Sequence, residues 1–113
     1  MLDDVATVTL QTALAALGQR QQVTANNIAN VETPGFTASS VDFESSLAAA
    51  VAAGNPGAAT VSVDPTSDAA GVNGNNVSLD NEMVTATKTT LQEQLLTSAI
   101  TSKFGLLSTV LKG

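Results

Sequence analysis

Residues 25–36 read ANNIANVETPGF, and this stretch predicts both the end of a long helix and a tight turn after it. The helix is predicted over residues 3–31, because no proline interrupts it and apolar side chains recur at spacings of three and four residues. That apolar stripe consists of Leu10, Leu14, Leu17, Ile28 and Val31. Asn30 is expected to end the helix in the left-handed conformation. Pro34-Gly35 suits the centre of a type II turn, since proline fixes φ and glycine accepts a positive φ.

A second long helix is predicted over residues 79–112, with Ser78 or Asp80 as its N-cap. Acidic residues are expected to stabilise the first turn of both helices through the helix dipole: Asp3 and Asp4 in the first, Asp80 and Glu82 in the second. The second helix has two adjacent apolar rows: Leu91, Leu95, Ala99, Leu106 and Val110, and Leu96, Ile100, Phe104, Leu107 and Leu111. Because two rows are wider than the seam of one helix pair requires, we expect other subunits to cover part of them. The pattern also fits a monomeric hairpin.

The segment between the helices is predicted to be irregular and flexible, above all over residues 54–77, where glycine, proline and small polar residues dominate. Residues 43–53 are alanine-rich and predict a short helix, and residues 61–63 give a weak strand signal. The predicted fold is therefore all-α, with two long terminal helices that pair as a coiled-coil-like hairpin around an irregular central loop. One domain is expected, divided into residues 1–36, 37–78 and 79–113.

Composition excludes several classes of partner. Charged residues make up 12% of the 113 residues, against about 25% in a typical soluble domain, and such a surface favours burial against other copies of the chain. The net charge is −6, and the four basic residues are scattered along the chain. We therefore expect neither nucleic acid nor an anionic membrane surface as a partner.

The residue types available for catalysis are also limited. The chain has no cysteine and no histidine, so it has no thiolate ligand or nucleophile and lacks the commonest general base. Asp42 and Glu44 are the nearest approach to a carboxylate pair, and the spacing of a calcium-binding loop is absent. We predict no enzymatic activity, metal, cofactor or small-molecule substrate. The first residues, MLDD, do not resemble a secretory signal, so no cleaved signal peptide is expected.

Residues 25–36 resemble the amino-terminal signature of the flagellar axial proteins, the family of rod, hook and hook-associated subunits. Residues 73–83, NGNNVSLDNEM, resemble the start of the second helix in the short, proximal-rod members of that family. The last residues, 103–113, resemble the same members. The chain departs from them in being somewhat shorter, and its second helix has more threonine and less charge than these relatives lead us to expect.

This resemblance implies a structural subunit of the proximal rod of the bacterial flagellar basal body. In the family, the terminal helices pair and pack into a tube that crosses the periplasm and transmits torque, after type III export without cleavage. The implied partners are other copies of the chain, other flagellar rod proteins, and proteins of the MS ring or export gate at the rod base. The candidate assembly contacts are Leu10, Leu14, Leu17, Asn26, Asn27, Ile28, Asn30, Phe36, Leu91, Leu95, Ile100, Phe104, Leu107 and Leu111.

One alternative function remains at this point: a small helical-hairpin substrate of a specialised secretion system, such as a needle-type or dimeric effector protein. These proteins share the short length and the paired amphipathic helices. They lack the signature of residues 25–36, and one common class has a Trp-x-Gly turn that this tryptophan-free chain cannot form.

Overall fold

The computed structural model describes residues 4–112, apart from the side chains of Leu107 and Lys112. The elements are α1 (Val5–Ala29), β1 (Ser39–Asp42), α2 (Glu44–Ala52), a 3₁₀ turn (Pro56–Ala58), β2 (Ser62–Pro65) and α3 (Leu79–Lys112). The molecule is elongated, at 64 × 26 × 14 Å. Within residues 4–112, no helix combines the length and the apolar character needed to cross a membrane.

Helix α1 begins at Val5, two residues after the predicted start at residue 3. Asp4 is its N-cap, and the Asp4 Oδ1 accepts a hydrogen bond of 2.8 Å from the backbone N–H of Thr7. Asp4 therefore stabilises the helix start as a cap and not from within the first turn. Asp3, predicted beside it, lies outside the described residues.

At its other end, α1 stops at the predicted place with a different backbone geometry. Asn30 has φ −107° and ψ 17°, so the prediction of a left-handed cap was wrong. Its N–H still bonds to the carbonyl of Asn26, and its side-chain Nδ2 donates to the same oxygen at 2.8 Å. The residue with a positive φ is instead Gly35, in the turn over residues 33–36 that follows the helix end. In that turn, Phe36 N–H donates to Thr33 O at 3.2 Å and Gly35 has φ 74°, as the type II prediction required.

Helices α1 and α3 pack side by side in antiparallel directions, as predicted. Near the turn, Gln21 Nε2 donates to Thr90 Oγ1 at 2.8 Å and to Ala86 O at 3.1 Å. At the far end, Asp4 and Lys103 form an ion pair. The buried positions of this seam include several polar residues: Thr7, Thr24, Asn27 and Thr89. A coiled-coil seam is a regular apolar repeat, so that part of the prediction is not confirmed.

The chain is mostly helical with two long terminal helices, as predicted, but the central segment contains a small sheet that the all-α prediction did not include. Strands β1 and β2 pair antiparallel, with Ser39 opposite Pro65 and Val41 opposite Val63. The weak signal at residues 61–63 did mark β2, but β1 (SSVD) has a single apolar residue and gave no signal. Helix α2 lies within the predicted 43–53 span, which confirms it.

A compact apolar cluster lies where α1 meets β1 and the start of α2. It is built from Leu17 and Ala16 of α1 together with Val41 and Phe43, and Leu96 of α3 packs against it. Full burial of a side chain such as Leu17 contributes about 1.5–3 kcal/mol to folding. The cluster therefore fixes the central segment to one side of α1.

Candidate assembly site

The predicted contact residues fall into three environments. Leu17 and Asn27 are buried inside the chain. Six others are partly buried: Leu10, Leu14, Ile28, Asn30, Phe36 and Ile100. Five are exposed: Asn26, Leu91, Leu95, Phe104 and Leu111. Leu107 lies in α3, but its side chain is outside the described set. A neighbouring subunit can thus reach these five predicted residues, three of which are leucines of α3.

Leu91 and Leu95 belong to an apolar surface on the side of α3 that faces away from α1. We call it the outer face of α3 and define it by Met83, Val84, Leu91 and Leu95, which are 55%, 67%, 56% and 70% exposed. Thr89, which is buried against α1, lies two residues from Leu91, and two residues correspond to about 200° around a helix. Thr87, Lys88 and Gln92 complete the lining of a shallow groove along this face.

Where α1 ends and α3 begins, a group of asparagines joins the two helices. We call it the asparagine junction: Asn27, Asn75, Asn76 and the turn over residues 33–36. Asn75 is 7% exposed, and its Nδ2 donates to the carbonyls of Asn30 and Thr33, both at 2.7 Å. Its Oδ1 accepts from the backbone N–H of Val77 at 2.8 Å. Leaving such buried groups unpaired costs about 1–3 kcal/mol each.

Asn76 joins the same region to the small sheet. Its Oδ1 accepts from the N–H of Ala38 at 2.7 Å, and its Nδ2 donates to Thr66 Oγ1 at 3.0 Å. Its own backbone N–H donates to Phe36 O at 3.2 Å. Asn76 thereby bonds to the segments on both sides of β1–β2.

Two glycines allow the two segments of the junction to approach closely. Gly35 N–H donates to Asn73 O at 2.9 Å. Gly74 has φ 79°, and a Cβ on it would lie 3.3 Å from the Cα of Gly35. Residues with a Cβ rarely adopt a positive φ of this kind, so glycine at 74 suits both the turn and the contact.

Asn27 is the third amide of the junction and is 1% exposed. Its Oδ1 accepts from Ser39 N–H at 3.0 Å, while its Nδ2 donates to Ser39 O at 2.7 Å and to Glu82 Oε1 at 3.0 Å. Burial raises the pKa of the Glu82 carboxyl, the Asn27 hydrogen bond opposes this, and nearby Asp68 adds to it. One amide thus links α1, β1 and α3.

A charged contact supports the other side of β1. The Arg20 guanidinium donates to both carboxylate oxygens of Glu44, at 2.9 and 2.8 Å, and to Val41 O at 2.7 Å. It also lies over the ring of Phe43, 4.9 Å from the centroid. The hydrogen bonds from Arg20 lower the pKa of Glu44 to about 2, against the opposing effect of its partial burial.

Two comparisons with known proteins bear on this arrangement. Residues 9–37 match the family model of the flagella basal body rod protein. The chain is 32% identical over 126 residues to the flagellar basal body rod protein FlgB of Escherichia coli (strain K12), with 91% of each chain covered. It is also 32% identical over 117 residues to FlgB of Bacillus subtilis (strain 168), with 92% of this chain and 91% of the relative covered.

The chain belongs to the FlgB family of flagellar basal-body rod proteins.

Membership in the FlgB family decides between the alternatives that the sequence left open. The family is structural and not enzymatic, in agreement with the prediction of no enzymatic activity. The same matches favour the rod family over the alternative, a small helical-hairpin substrate of a specialised secretion system. The family model covers α1 and the turn after it, whereas the whole-length FlgB relatives also align with the α3 side of the junction.

The sequence pattern identifies both FlgB-like segments but does not reveal that they contact each other. Asn26, Asn27 and Asn30 were predicted as assembly contacts, and Asn75 and Asn76 were given no contact role. The available signal was the repetition of an asparagine pair, at residues 26–27 and 75–76, beside a glycine turn in each segment. Arg20, the single basic residue of α1, was likewise overlooked.

Proposed function

We propose that this chain is a structural subunit of the proximal rod of the flagellar basal body, where its terminal helices assemble with other copies and with other rod proteins. The rod tube would cross the periplasm and transmit torque to the structures outside the cell. FlgB-family membership supports a structural role in the basal-body rod. The observation that supports assembly through the helices is the apolar outer face of α3, which the described part of the chain leaves exposed.

The outer face of α3 has the dimensions and chemistry of a helix-packing surface. Met83 and Leu95 lie twelve residues apart, which corresponds to about 18 Å along the helix. The face contains no acidic residue in a chain of net charge −6, so two copies can meet there without direct carboxylate repulsion. Burying the part of its four large side chains that is still exposed, 55–70% of each, would contribute roughly 4–7 kcal/mol before the costs of association.

Those costs are of similar size, since association alone consumes an estimated 4–15 kcal/mol. One such contact therefore gives weak pairing, while several contacts to neighbours in a tube give a stable structure. This balance favours a subunit that stays monomeric in dilute solution and becomes fixed only in the growing rod. The same reasoning extends to the rod base, where MS-ring or export-gate proteins would supply the first contacts.

Localisation in the periplasmic part of the basal body, after type III export without cleavage, belongs to the same proposal. The rod position of the family supports it. The mass of the chain recovered from basal bodies would test the export route directly, because an uncleaved subunit retains its first residues.

The deciding experiment is mass spectrometry of washed hook–basal bodies from the source organism. We expect the chain at a few copies per structure, together with the other rod proteins. Its reproducible absence, with those other proteins present, would overturn the proposal.

Variants of the outer face test the mechanism of assembly. Leu91→Asp and Leu95→Asp should abolish incorporation into basal bodies and motility while leaving the helix content of the purified chain unchanged. Thr97→Asp is the matched control, since Thr97 is also exposed on α3 but lies about 200° around the helix from Leu95. Normal incorporation of both leucine variants would exclude the outer face as an assembly surface.

A further inference from the structure

We infer that the asparagine junction is a positioning site that fixes α1 against α3, with Asn75 as its central residue. On this view the signature asparagine Asn27 acts inside the chain and not at a subunit boundary. The consequence for assembly rests on the proposed function, whereas the positioning role does not.

The need for such a site follows from the chain's connectivity. α1 ends at Ala29 and α3 begins at Leu79, so about fifty residues separate the two helices. A connection of that length places little restriction on how the helices lie relative to each other. Non-covalent contacts between the two helices must therefore set their register, and the contacts at the asparagine junction are among them.

Asn75 makes such contacts with both helix ends at once. Its Nδ2 donates to the carbonyl of Asn30, the C-cap of α1, which also accepts a hydrogen bond from the Thr33 N–H. Its Oδ1 accepts from the N–H of Val77, immediately before Ser78, whose Oγ accepts from the Asn81 N–H at the start of α3. The side chain therefore links the C-cap of α1 to the residues that lead into α3.

The geometry requires asparagine at this position. The site needs two donated hydrogen bonds and one accepted hydrogen bond within a side chain of fixed length. Aspartate has the same shape but no donor, and it would direct a negative oxygen toward two carbonyls. Serine and alanine do not reach both helix ends.

The other two amides extend the same link. Asn27 connects α1 to the first turn of α3 through Glu82, and Asn76 connects the turn after α1 to the sheet. All three amides are engaged by groups of the same chain, and Asn27 and Asn75 are at least nine-tenths buried. A neighbouring subunit cannot contact these two amides without displacing their present partners.

The junction therefore determines how the outer face of α3 is presented relative to α1. If the junction is lost, the outer face keeps its own residues but loses its fixed orientation. Assembly should then fail even though no interface residue has changed.

The test uses Asn75→Asp with Asn81→Asp as control, because Asn81 is an exposed asparagine at the start of the same helix. Hydrogen exchange of the purified full-length chain should become about ten-fold faster or more over residues 30–36 and 77–82 in Asn75→Asp, since two buried hydrogen bonds are lost. Exchange in Asn81→Asp should match the unmodified chain. Unchanged exchange in Asn75→Asp would refute the positioning role, whatever the rod experiments give.

A rescue experiment separates positioning from direct contact with a neighbour. The chain has no cysteine, so Gln21→Cys and Thr90→Cys, whose parent side chains touch, can be joined by a short thiol-reactive linker. We expect the linker to restore both slow exchange and incorporation into basal bodies to the Asn75→Asp chain. The linked chain with native Asn75 is the control and should incorporate normally. If the linker then restores slow exchange to the Asn75→Asp chain but not its incorporation, Asn75 belongs to an interface and the inference is overturned.

Two further outcomes are also decisive. If Asn75→Asp fails to fold and the linker restores its helix content, the positioning role is supported. If it stays unfolded with the linker in place, the junction does more than position the helices, and the inference fails.

Discussion

The Asp4 carboxylate and the Lys103 ammonium form an ion pair of 3.0 Å at the end of the helix pair that lies farthest from the turn. Asp4 is also the N-cap of α1. One exposed carboxylate therefore stabilises the start of one helix and contacts the other helix. At the opposite end of the pair, the same two helices are linked by buried, uncharged amides.

The pH dependence of the Asp4 contacts can be predicted. The hydrogen bond from the Thr7 N–H, followed by that from Lys103, lowers the pKa of Asp4 from 3.8 to about 2. Because the folded pKa lies below the unfolded one, this stabilisation is fully present above pH 3.8 and is lost as the pH falls through about 2. Asp4→Asn keeps a capping acceptor but removes the charge. Its midpoint of thermal unfolding should be slightly lower at pH 7 and equal to that of the unmodified chain near pH 2. A difference that persists at the acidic end would exclude the charge as its cause.

Arg20 should not tolerate replacement by lysine. Arg20→Lys keeps the charge but loses the two-pronged contact with Glu44 and the stacking on Phe43. We expect a loss of about 1–2 kcal/mol in the free energy of unfolding, measured by urea denaturation. Glu44→Gln should cost less, because Glu44 is more than half exposed and solvent screens its charge. Equal losses in the two variants would indicate that the ion pair, and not the packing of the guanidinium, dominates.

Glu82 should show the opposite pH behaviour. Its pKa is raised above 4.5, chiefly by burial, so the folded chain holds this proton more tightly than the unfolded chain does. Stability should therefore fall as the pH rises through the raised pKa. Glu82→Gln, which keeps an acceptor for Asn27, is expected to raise the unfolding midpoint at pH 7 and to have little effect at pH 4. A destabilised Gln variant at pH 7 would mean that the charged hydrogen bond from Asn27 outweighs the burial cost.

Two glycine-to-alanine substitutions should have opposite signs. Gly74→Ala places a Cβ 3.3 Å from Gly35 Cα on a backbone with φ 79°, and we expect a loss of at least about 1 kcal/mol. Gly18→Ala lies in the interior of α1 with no atom within 4 Å of the new Cβ, so it should stabilise the chain by about 0.5–1 kcal/mol. Chemical denaturation of both variants would check this, with the dependence of the free energy of unfolding on denaturant concentration compared between them. Stabilisation by Gly74→Ala would contradict the close approach at the junction.

The parts of the fold that sequence predicted are those with local signals. The stripe that includes Leu10, Leu14 and Leu17 repeats at helical spacing, and Pro34-Gly35 leaves few alternatives to a turn. Helix boundaries were therefore close to those observed. Strand β1 was missed because a four-residue strand with one apolar side chain has no usable period.

The candidate site was predicted only in part, for a related reason. Leu91 and Leu95 were predicted because the second helix has more apolar side chains than the seam of one helix pair requires. The sequence alone does not distinguish an exposed apolar row from a buried one. The bonds of Asn75 to Asn30 and Thr33 join residues more than forty positions apart. Hydrogen bonds of this kind follow no periodicity, so only the folded chain reveals them.

The small apolar core has a mechanical consequence. Within residues 4–112 the buried apolar residues are Ala16, Leu17, Ala38, Val41 and Phe43, and most of them are modest in size. Little work is then needed to pull a single subunit apart, since few apolar contacts resist extension. In a subunit surrounded by neighbours, the side chains that those neighbours cover make further contacts that resist extension. Resistance to force would accordingly belong to the assembled tube, and each chain would become hard to extend only where it is packed.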